Sequence, residues 1–152
     1  MPGATLTYVV NEIERLMRRI GEPTPLQRAI GITLVASTKR RFTESRAPDG
    51  STWRPLSPRT IRRRRHGRGR RRSAKPLLDT GRLRNSITYR VAGEVLYVGT
   101  NVEYAGIHQF GARGAGRHHR VVIPARPFLG ISRDDREKIE HIIQDFIRGE
   151  LL

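Results

Sequence analysis

A run of closely spaced arginines could bind a polyanion, and it is the chemically most distinctive feature of this 152-residue sequence. Between Asp49 and Asp79 the chain carries eleven cationic side chains and no acidic one, which accounts for most of the formal net charge of +16. Like charges this close repel one another, so they stay solvated or contact an external polyanion. Three interpretations remain open: a solvated loop, a contact with an acidic protein, and a contact with DNA. The candidate contact residues are Arg62, Arg63, Arg64, Arg65, Arg68, Arg70, Arg71 and Arg72.

Three histidines could suggest a metal or nuclease site. His118 and His119 are adjacent in a glycine-rich stretch, and His108 precedes them. Such a loop lacks the fixed geometry and the carboxylate that a hydrolytic metal site needs. The sequence also has no phosphate-binding loop with its lysine, no nucleophile-elbow context around Ser86, and no cysteine. We therefore predict no catalytic residues, no metal and no cofactor.

A segment of aromatic and polar residues beside a glycine could form a contact between subunits. If it is helical, Tyr104, His108, Gln109 and Phe110 lie within about two turns of one another. Tyrosine and phenylalanine would then be buried anchors in a ring interface, with the histidine and the glutamine hydrogen-bonding across it. Packing within the chain explains the same residues equally well, because aromatic residues beside glycines also fit a tight turn.

A second candidate interface segment contains Arg126, Pro127 and Phe128. Phe128 could enter a pocket on a neighbouring subunit while Arg126 pairs with a carboxylate there. The alternative is that Phe128 fills its own core and Arg126 pairs within the subunit.

Helices are expected at both ends of the chain. Apolar spacing predicts an amphipathic helix over residues 5–20 and a second helix from Thr24 to about Phe42, with Thr24 and Gln27 forming a capping box. Gly31 inside that helix would allow a neighbouring element to approach closely. The last helix begins after Ser132, a capping residue, and ends at Gly149.

The middle of the chain predicts short strands and loops, and the whole chain is expected to form a single α+β domain over residues 1–152. The turn after the second helix should place Trp53 and Leu56 on the core. The remaining expectations follow in chain order. A short helix begins at Pro58, and a basic flexible loop covers about residues 62–76 and is disordered from Arg65 to Ser73. Two strands, Ser86–Val91 and Glu94–Thr100, are followed by a helix over Val102–Phe110, a mobile loop over Ala112–Arg120 and an edge strand over Val121–Ile123. No stretch approaches the roughly 18 apolar residues of a membrane span, so we expect no membrane partner and a soluble, cytosolic protein when it is made.

Four short motifs in fixed order give the sequence a family resemblance. They are Pro48-Asp49-Gly50 with Trp53-Arg54-Pro55-Leu56; Leu78-Asp79-Thr80-Gly81-Arg82-Leu83 with Ser86-Ile87; Val98-Gly99-Thr100-Asn101 leading into Tyr104-Ala105-Gly106-Ile107-His108-Gln109-Phe110-Gly111; and Ile123-Pro124-Ala125-Arg126-Pro127-Phe128-Leu129-Gly130. Together they resemble the phage virion morphogenesis family, the tail-completion proteins of tailed phages and prophages. The run from Arg62 to Arg72 matches none of these motifs.

The resemblance implies a structural protein rather than an enzyme. Such a protein would complete the tail and join it to the head at the virion neck, as a homo-oligomeric ring that is hexameric by analogy with other tail rings. Its partners would be a tail terminator or tail tube protein and a head-side connector, with possible non-specific contact with packaged DNA. It would lie in the host cytoplasm before assembly and in the virion afterwards. The alternative function is sequence-independent nucleic-acid binding through the arginine run.

Overall fold

The computed structural model describes residues 24–66, 73–115, 118 and 120–150. This part of the chain contains five helices and two antiparallel two-stranded sheets, which confirms the predicted α+β class. The predicted helix over residues 5–20 lies outside the described residues. None of the helices in the described ranges is long and apolar enough to span a membrane.

Helix α1, Thr24–Glu44, packs against the first hairpin, the short helix Arg82–Asn85 and the last helix, Arg133–Arg148. It contacts a hairpin formed by β1, Thr88–Ala92, and β2, Val95–Gly99. Gly31 lies against this hairpin: a Cβ atom there would lie 2.5 Å from the Tyr89 ring. The prediction that Gly31 permits a close approach is therefore confirmed.

The hairpin connects through Gly93 and Glu94, one residue later than the sequence suggested. Gly93 has φ of +58°, a left-handed conformation that glycine adopts without steric cost. The side chain of Gln27 donates a hydrogen bond to the Gly93 carbonyl oxygen at 3.2 Å. This residue, expected in a capping box, instead links the start of α1 to the hairpin turn.

The hydrophobic core lies where α1 meets the turn after it and the segment before the last helix. Phe42 packs edge-on against Trp53 with ring centroids 5.6 Å apart, and against Phe128 at 5.3 Å. Such aromatic pairs stabilise a fold beyond the area they bury. The Trp53 indole N–H donates to the Pro127 carbonyl oxygen at 2.8 Å, which satisfies its only polar group. The prediction that Trp53 packs on the core is confirmed.

Two predictions for the next segments are wrong in part: the flexible loop over residues 62–76 and the helix over Val102–Phe110. Helix α2 spans Pro58–His66, so the first residues of the expected flexible loop over 62–76 are helical. Helix α3, Arg82–Asn85, follows, and α4 covers only Ala105–Phe110 because the chain before it forms a turn. Residues 67–72, most of the stretch predicted to be disordered, lie outside the described residues.

The glycine- and arginine-rich stretch over Ala112–Arg120 is not simply a loop. Residues Ala112–Ala115 form β3, which pairs antiparallel with β4, Val121–Ile123. The register shifts between Ala112 and Ala115, so the ribbon carries an irregularity. The glycines and charged residues in this stretch did not indicate a strand. Pairing with β4 stabilises the extended conformation here.

The last helix, α5, spans Arg133–Arg148 and packs on α1. Its start is a capping box: the Ser132 hydroxyl accepts from the Asp135 N–H, and the Asp135 carboxylate accepts from the Ser132 N–H. Gly149 ends it with φ of +79°. Both predicted ends of this helix are confirmed.

Candidate functional site: an apolar patch and a basic cleft

An apolar patch covers the end of α4 and the adjoining ribbon. Phe110 is 81% exposed and Val122 is 67% exposed. Both line a shallow groove of about 280 Å³ together with residues of the ribbon and Ala125. Val121 is also exposed, and because neighbours on a strand point to opposite faces, both faces of the ribbon are in solvent. We call Phe110 and Val122, which line the groove together, the Phe110 patch.

Gln109 fixes the orientation of α4 on the segment that precedes α5. Its Oε1 atom accepts from the N–H groups of Phe128 and Leu129 at 3.0 and 3.1 Å, and its Nε2 donates to the Leu129 carbonyl at 3.0 Å. Arg126 N–H also donates to the His108 carbonyl oxygen at 2.7 Å. Gln109 was expected to hydrogen-bond across a subunit interface, but these bonds use it within the chain.

Phe128 and Pro127 belong to the interior of the protomer. The Phe128 side chain is fully buried among Phe42 and the other core residues, so the expectation that it inserts into a neighbouring subunit is wrong. Pro127 uses its carbonyl oxygen to accept from Trp53. The burial of Phe128 agrees with the alternative interpretation, in which this ring fills its own core.

Arg126 lies at the base of a cleft of about 450 Å³, which we call the Arg126 cleft. Its guanidinium is 5% exposed and donates to two backbone carbonyl oxygens, Arg54 at 2.8 Å and Pro55 at 3.2 Å. It forms no ion pair among the described residues. The other lining residues are Leu56, Arg64, Leu77, Asp79, Thr80, Gly81, Arg82, Leu83, Tyr104 and His108.

The cleft brings together residues from all four sequence motifs, with Leu56 coming from the first. Thr80 and Arg82 come from the second motif, Tyr104 and His108 from the third, and Arg126 from the fourth. The Tyr104 and His108 rings pack edge-on with centroids 5.8 Å apart, so two predicted interface residues lie side by side at its wall. Their contact with a partner stays a prediction.

The electrostatics of the cleft disfavour further positive charge. Burial lowers the pKa of His108, and the charges of Arg126 and Arg64 lower it further, so the imidazole is held neutral. The buried Nδ1 atom of this ring has no hydrogen-bond partner among the described residues. Burial likewise lowers the pKa of Arg126, with a further contribution from the charges of Arg54 and Arg64.

One arginine of the basic run points inward and fixes a wall of the cleft. Arg64 donates from Nη1 to the carbonyl oxygens of Ser73 and Lys75 at 2.7 and 3.0 Å, and its Nε lies 3.5 Å from an Asp79 carboxylate oxygen.

Leu77, which lines the same cleft, is buried with φ of +59°, an uncommon conformation for a residue with a branched side chain. Such a conformation persists only where the surroundings hold it.

The rest of the basic run divides into two groups. Arg62, Arg63 and Arg65 are exposed on α2, in keeping with any of the three interpretations given above for the run. Arg68, Arg70, Arg71 and Arg72 lie outside the described residues. Treating all eight as one contact surface was therefore wrong for Arg64, whose burial comes from a partner fifteen positions along the chain.

A buried ion pair between Arg41 and Asp135 was not anticipated. Asp135 is fully buried and pairs with Arg41, which also donates to the carbonyl oxygens of Phe128 and Gly130 at 2.9 and 2.8 Å. Burial alone would raise the pKa of Asp135, but hydrogen bonds from Ser37 and Ser132, and the Arg41 charge, outweigh it and lower that pKa. The capping pattern before α5 could have identified Asp135, whereas nothing local identifies its partner 94 residues away.

The described residues contain no group of three histidine, aspartate or glutamate side chains arranged to hold a metal ion. His118 is exposed, and His119 lies outside the described residues.

The sequence places this α+β fold in a class of virion assembly proteins. The chain belongs to the phage virion morphogenesis family, whose model matches residues 4–148. It is 34% identical over 140 residues to Mu-like prophage FluMu G protein 2 of Haemophilus influenzae, covering 92% of this chain and 89% of that protein. It is 31% identical over 109 residues to tail completion protein S of Escherichia phage P2, covering 70% of this chain and 72% of that protein. No solved structure matches the chain significantly.

Proposed function

We propose that this protein is a non-enzymatic structural component of the virion that completes the tail of a phage or prophage and joins it to the head at the neck. Family membership and the likeness to a protein named for tail completion support the tail-completion role. A closed homo-oligomeric ring, hexameric by analogy, would present one face to a tail terminator or tail tube protein and the other to a head-side connector.

The observation that carries the ring is the Phe110 patch. A phenylalanine that is 81% exposed beside an exposed valine, Val122, is costly to leave in water. The adjoining ribbon also has unpaired edges among the described residues, which are ready to pair with another chain. A ring needs a head-to-tail contact between two different surfaces of each copy, so the patch would meet another face of the next subunit.

The test is the oligomeric state of purified protein, measured by analytical ultracentrifugation and by imaging of particles. We expect wild type to form a closed oligomer and Phe110→Asp to shift it to monomer, because a buried unpaired carboxylate would be introduced at the contact. Ile147→Asp is the matched control, since Ile147 is 52% exposed on α5, away from the patch. Thermal unfolding checks that both variants fold. A wild-type protein that is strictly monomeric, or absent from mature particles, would overturn the proposal.

Sequence-independent nucleic-acid binding is the second candidate, favoured by the exposure of Arg62, Arg63 and Arg65 on α2. Binding through about six phosphates should weaken by roughly a thousandfold between 50 and 200 mM salt. Charge reversal of these three arginines should then abolish DNA binding while leaving the oligomer intact. A monomer with tight, salt-sensitive DNA affinity would favour this function over the ring.

A further inference from the structure

Arg126 is a buried cation without a carboxylate partner among the described residues. Its side chain donates to two neutral carbonyl oxygens, and Arg64 and Arg82 line the same cleft. Asp79 is the single acidic residue in the described lining, and it is already paired with Arg64. A cation removed from water is costly unless an anion compensates it. The cleft is therefore short of negative charge.

We propose that the Arg126 cleft is a docking site for an acidic segment of a different protein in the particle, with one carboxylate of that segment reaching Arg126 and Arg82. The inference rests on the proposed function only in assuming that the protein meets partners during assembly. It assigns the cleft to a contact with another protein and leaves the Phe110 patch for contacts between copies.

The lining favours a peptide over a nucleic acid. Leu56, Leu77, Leu83 and the Tyr104 ring form apolar walls beside the arginines, and an apolar side chain next to the carboxylate would fill them. A phosphate backbone is instead bound by cations on an open surface. Here Arg126 is 5% exposed at the base of a concavity.

The charge of the chain favours a different protein over a second copy. Its formal net charge is +16, so two copies repel each other unless an apolar contact dominates. On α5, where acidic residues are densest, basic ones flank them: Arg133 and Arg136 lie on either side of Asp134 and Asp135, and Arg136 and Lys138 lie on either side of Glu137. An acidic partner is attracted to the cleft over a distance, and this chain offers no such segment.

The test is an NMR titration of the full-length protein with a short, capped peptide of alternating leucine and glutamate. The matched probe replaces glutamate with glutamine, and a single-stranded oligothymidine tests the phosphate alternative. We expect the glutamate peptide to bind roughly tenfold more tightly than the glutamine peptide, since charge-assisted hydrogen bonds to arginine are the stronger kind. A bound carboxylate should also raise the pKa of the His108 ring, which is faced by Arg64, Arg82, Arg126 and Asp79.

Arg82→Glu is the decisive variant, because Arg82 is exposed at the rim and the fold does not depend on its burial. It should weaken binding of the glutamate peptide roughly tenfold. Arg133→Glu is the matched control on α5 and should have little effect. Arg126→Met should weaken binding further if the variant folds, and Arg82→Glu decides the question if it does not.

Four outcomes would overturn the proposal. They are equal binding of the two peptides, equal weakening by Arg82→Glu and Arg133→Glu, competition by oligothymidine that is lost in Arg82→Glu, and loss of the oligomer in Arg82→Glu without any added peptide. The last would make a second copy the occupant. Failure of the ring is distinguishable, because Phe110→Asp would then leave the oligomeric state unchanged while the peptide still binds the cleft.

Discussion

Two buried arginines in this protein have opposite surroundings. Arg41 and Arg126 are both 5% exposed. Arg41 pairs with the buried carboxylate of Asp135 and donates to two carbonyl oxygens besides. Arg126 donates to two carbonyl oxygens and has no carboxylate among the described residues. The first charge is compensated within the fold, and the second is not.

The difference separates a structural role from a binding role. The Arg41–Asp135 pair ties the start of α5 to α1 and closes the segment from Phe128 to Ser132 over the core. The Arg41 charge therefore needs no external anion. Arg126 lines an open cleft beside Arg64 and Arg82, where an external anion would complete the same kind of arrangement. The burial of an arginine therefore does not by itself reveal the residue's role. The groups that accept hydrogen bonds from its guanidinium do reveal it.

The largest expected effect comes from breaking the compensated pair. Asp135→Asn leaves the Arg41 charge buried without its anion, which should lower the free energy of unfolding by about 3–5 kcal/mol. Urea unfolding at neutral pH measures it. Asp134→Asn is the matched control, because Asp134 is exposed on the same turn of α5. Its loss should cost less than about 1 kcal/mol.

Arg126→Met supplies the other half of this comparison. It removes two hydrogen bonds but no ion pair, so we expect a cost of about 1–3 kcal/mol, below that of Asp135→Asn. If the two substitutions cost the same, Arg126 would be as fully compensated as Arg41, and the contrast between them would fail.

An effect that is also below that of Asp135→Asn is expected from the glycine that sets the distance between α4 and the Arg126 segment. Gly111 has φ of +77°, and a Cβ atom there would lie 2.8 Å from the Ala125 backbone nitrogen. Gly111→Ala should therefore cost about 2–3 kcal/mol and displace Arg126 relative to His108. Unfolding measurements and the peptide titration would both report it. Gly106→Ala on α4 is the control, since a Cβ there meets nothing within 4 Å, and it should be neutral or slightly stabilising.

Much of the fold could be predicted because local patterns agree with the final structure. Ser132 and Gly149 bound α5 as capping chemistry requires, and the gap at Gly31 accommodates Tyr89. The ribbon containing Ala112–Ala115 could not be predicted, because glycine and arginine have low strand preference and only the partner strand supplies the pairing. The local sequence therefore predicts the elements whose ends and apolar faces are specified by nearby residues.

The sequence identified several residues of the candidate site, but it did not show how they are arranged in space. Tyr104, His108 and Arg126 were identified as candidates, and the structure gathers them in one cleft. The sequence did not show which aromatic side chains face outward: Phe110, before Gly111, is exposed, whereas Phe128, between Pro127 and Leu129, is buried. Long-range partners decide this, as Gln109 shows by joining α4 to residues about twenty positions away.

The smallest effect is a pH dependence that His108 should give the cleft. Because its folded-state pKa lies below the ordinary value of 6.5, the unfolded chain binds the proton more readily. His108 therefore stabilises the fold fully above pH 6.5, and this contribution is lost as the pH falls from 6.5 through the lowered folded-state pKa. His108→Gln should flatten the wild-type decline in unfolding free energy between neutral and mildly acidic pH.

Urea midpoints measured across that pH range would check this, with His141→Gln as the control because His141 is exposed on α5. The glutamate peptide sharpens the test. A carboxylate bound beside His108 would stabilise the protonated ring, so the decline in stability on acidification should shrink when the peptide is present. In Arg82→Glu the same peptide concentration should have a smaller effect, because binding is expected to be roughly tenfold weaker. A decline that is the same in His108→Gln as in wild type would mean that the buried imidazole does not sense the uncompensated charge of Arg126.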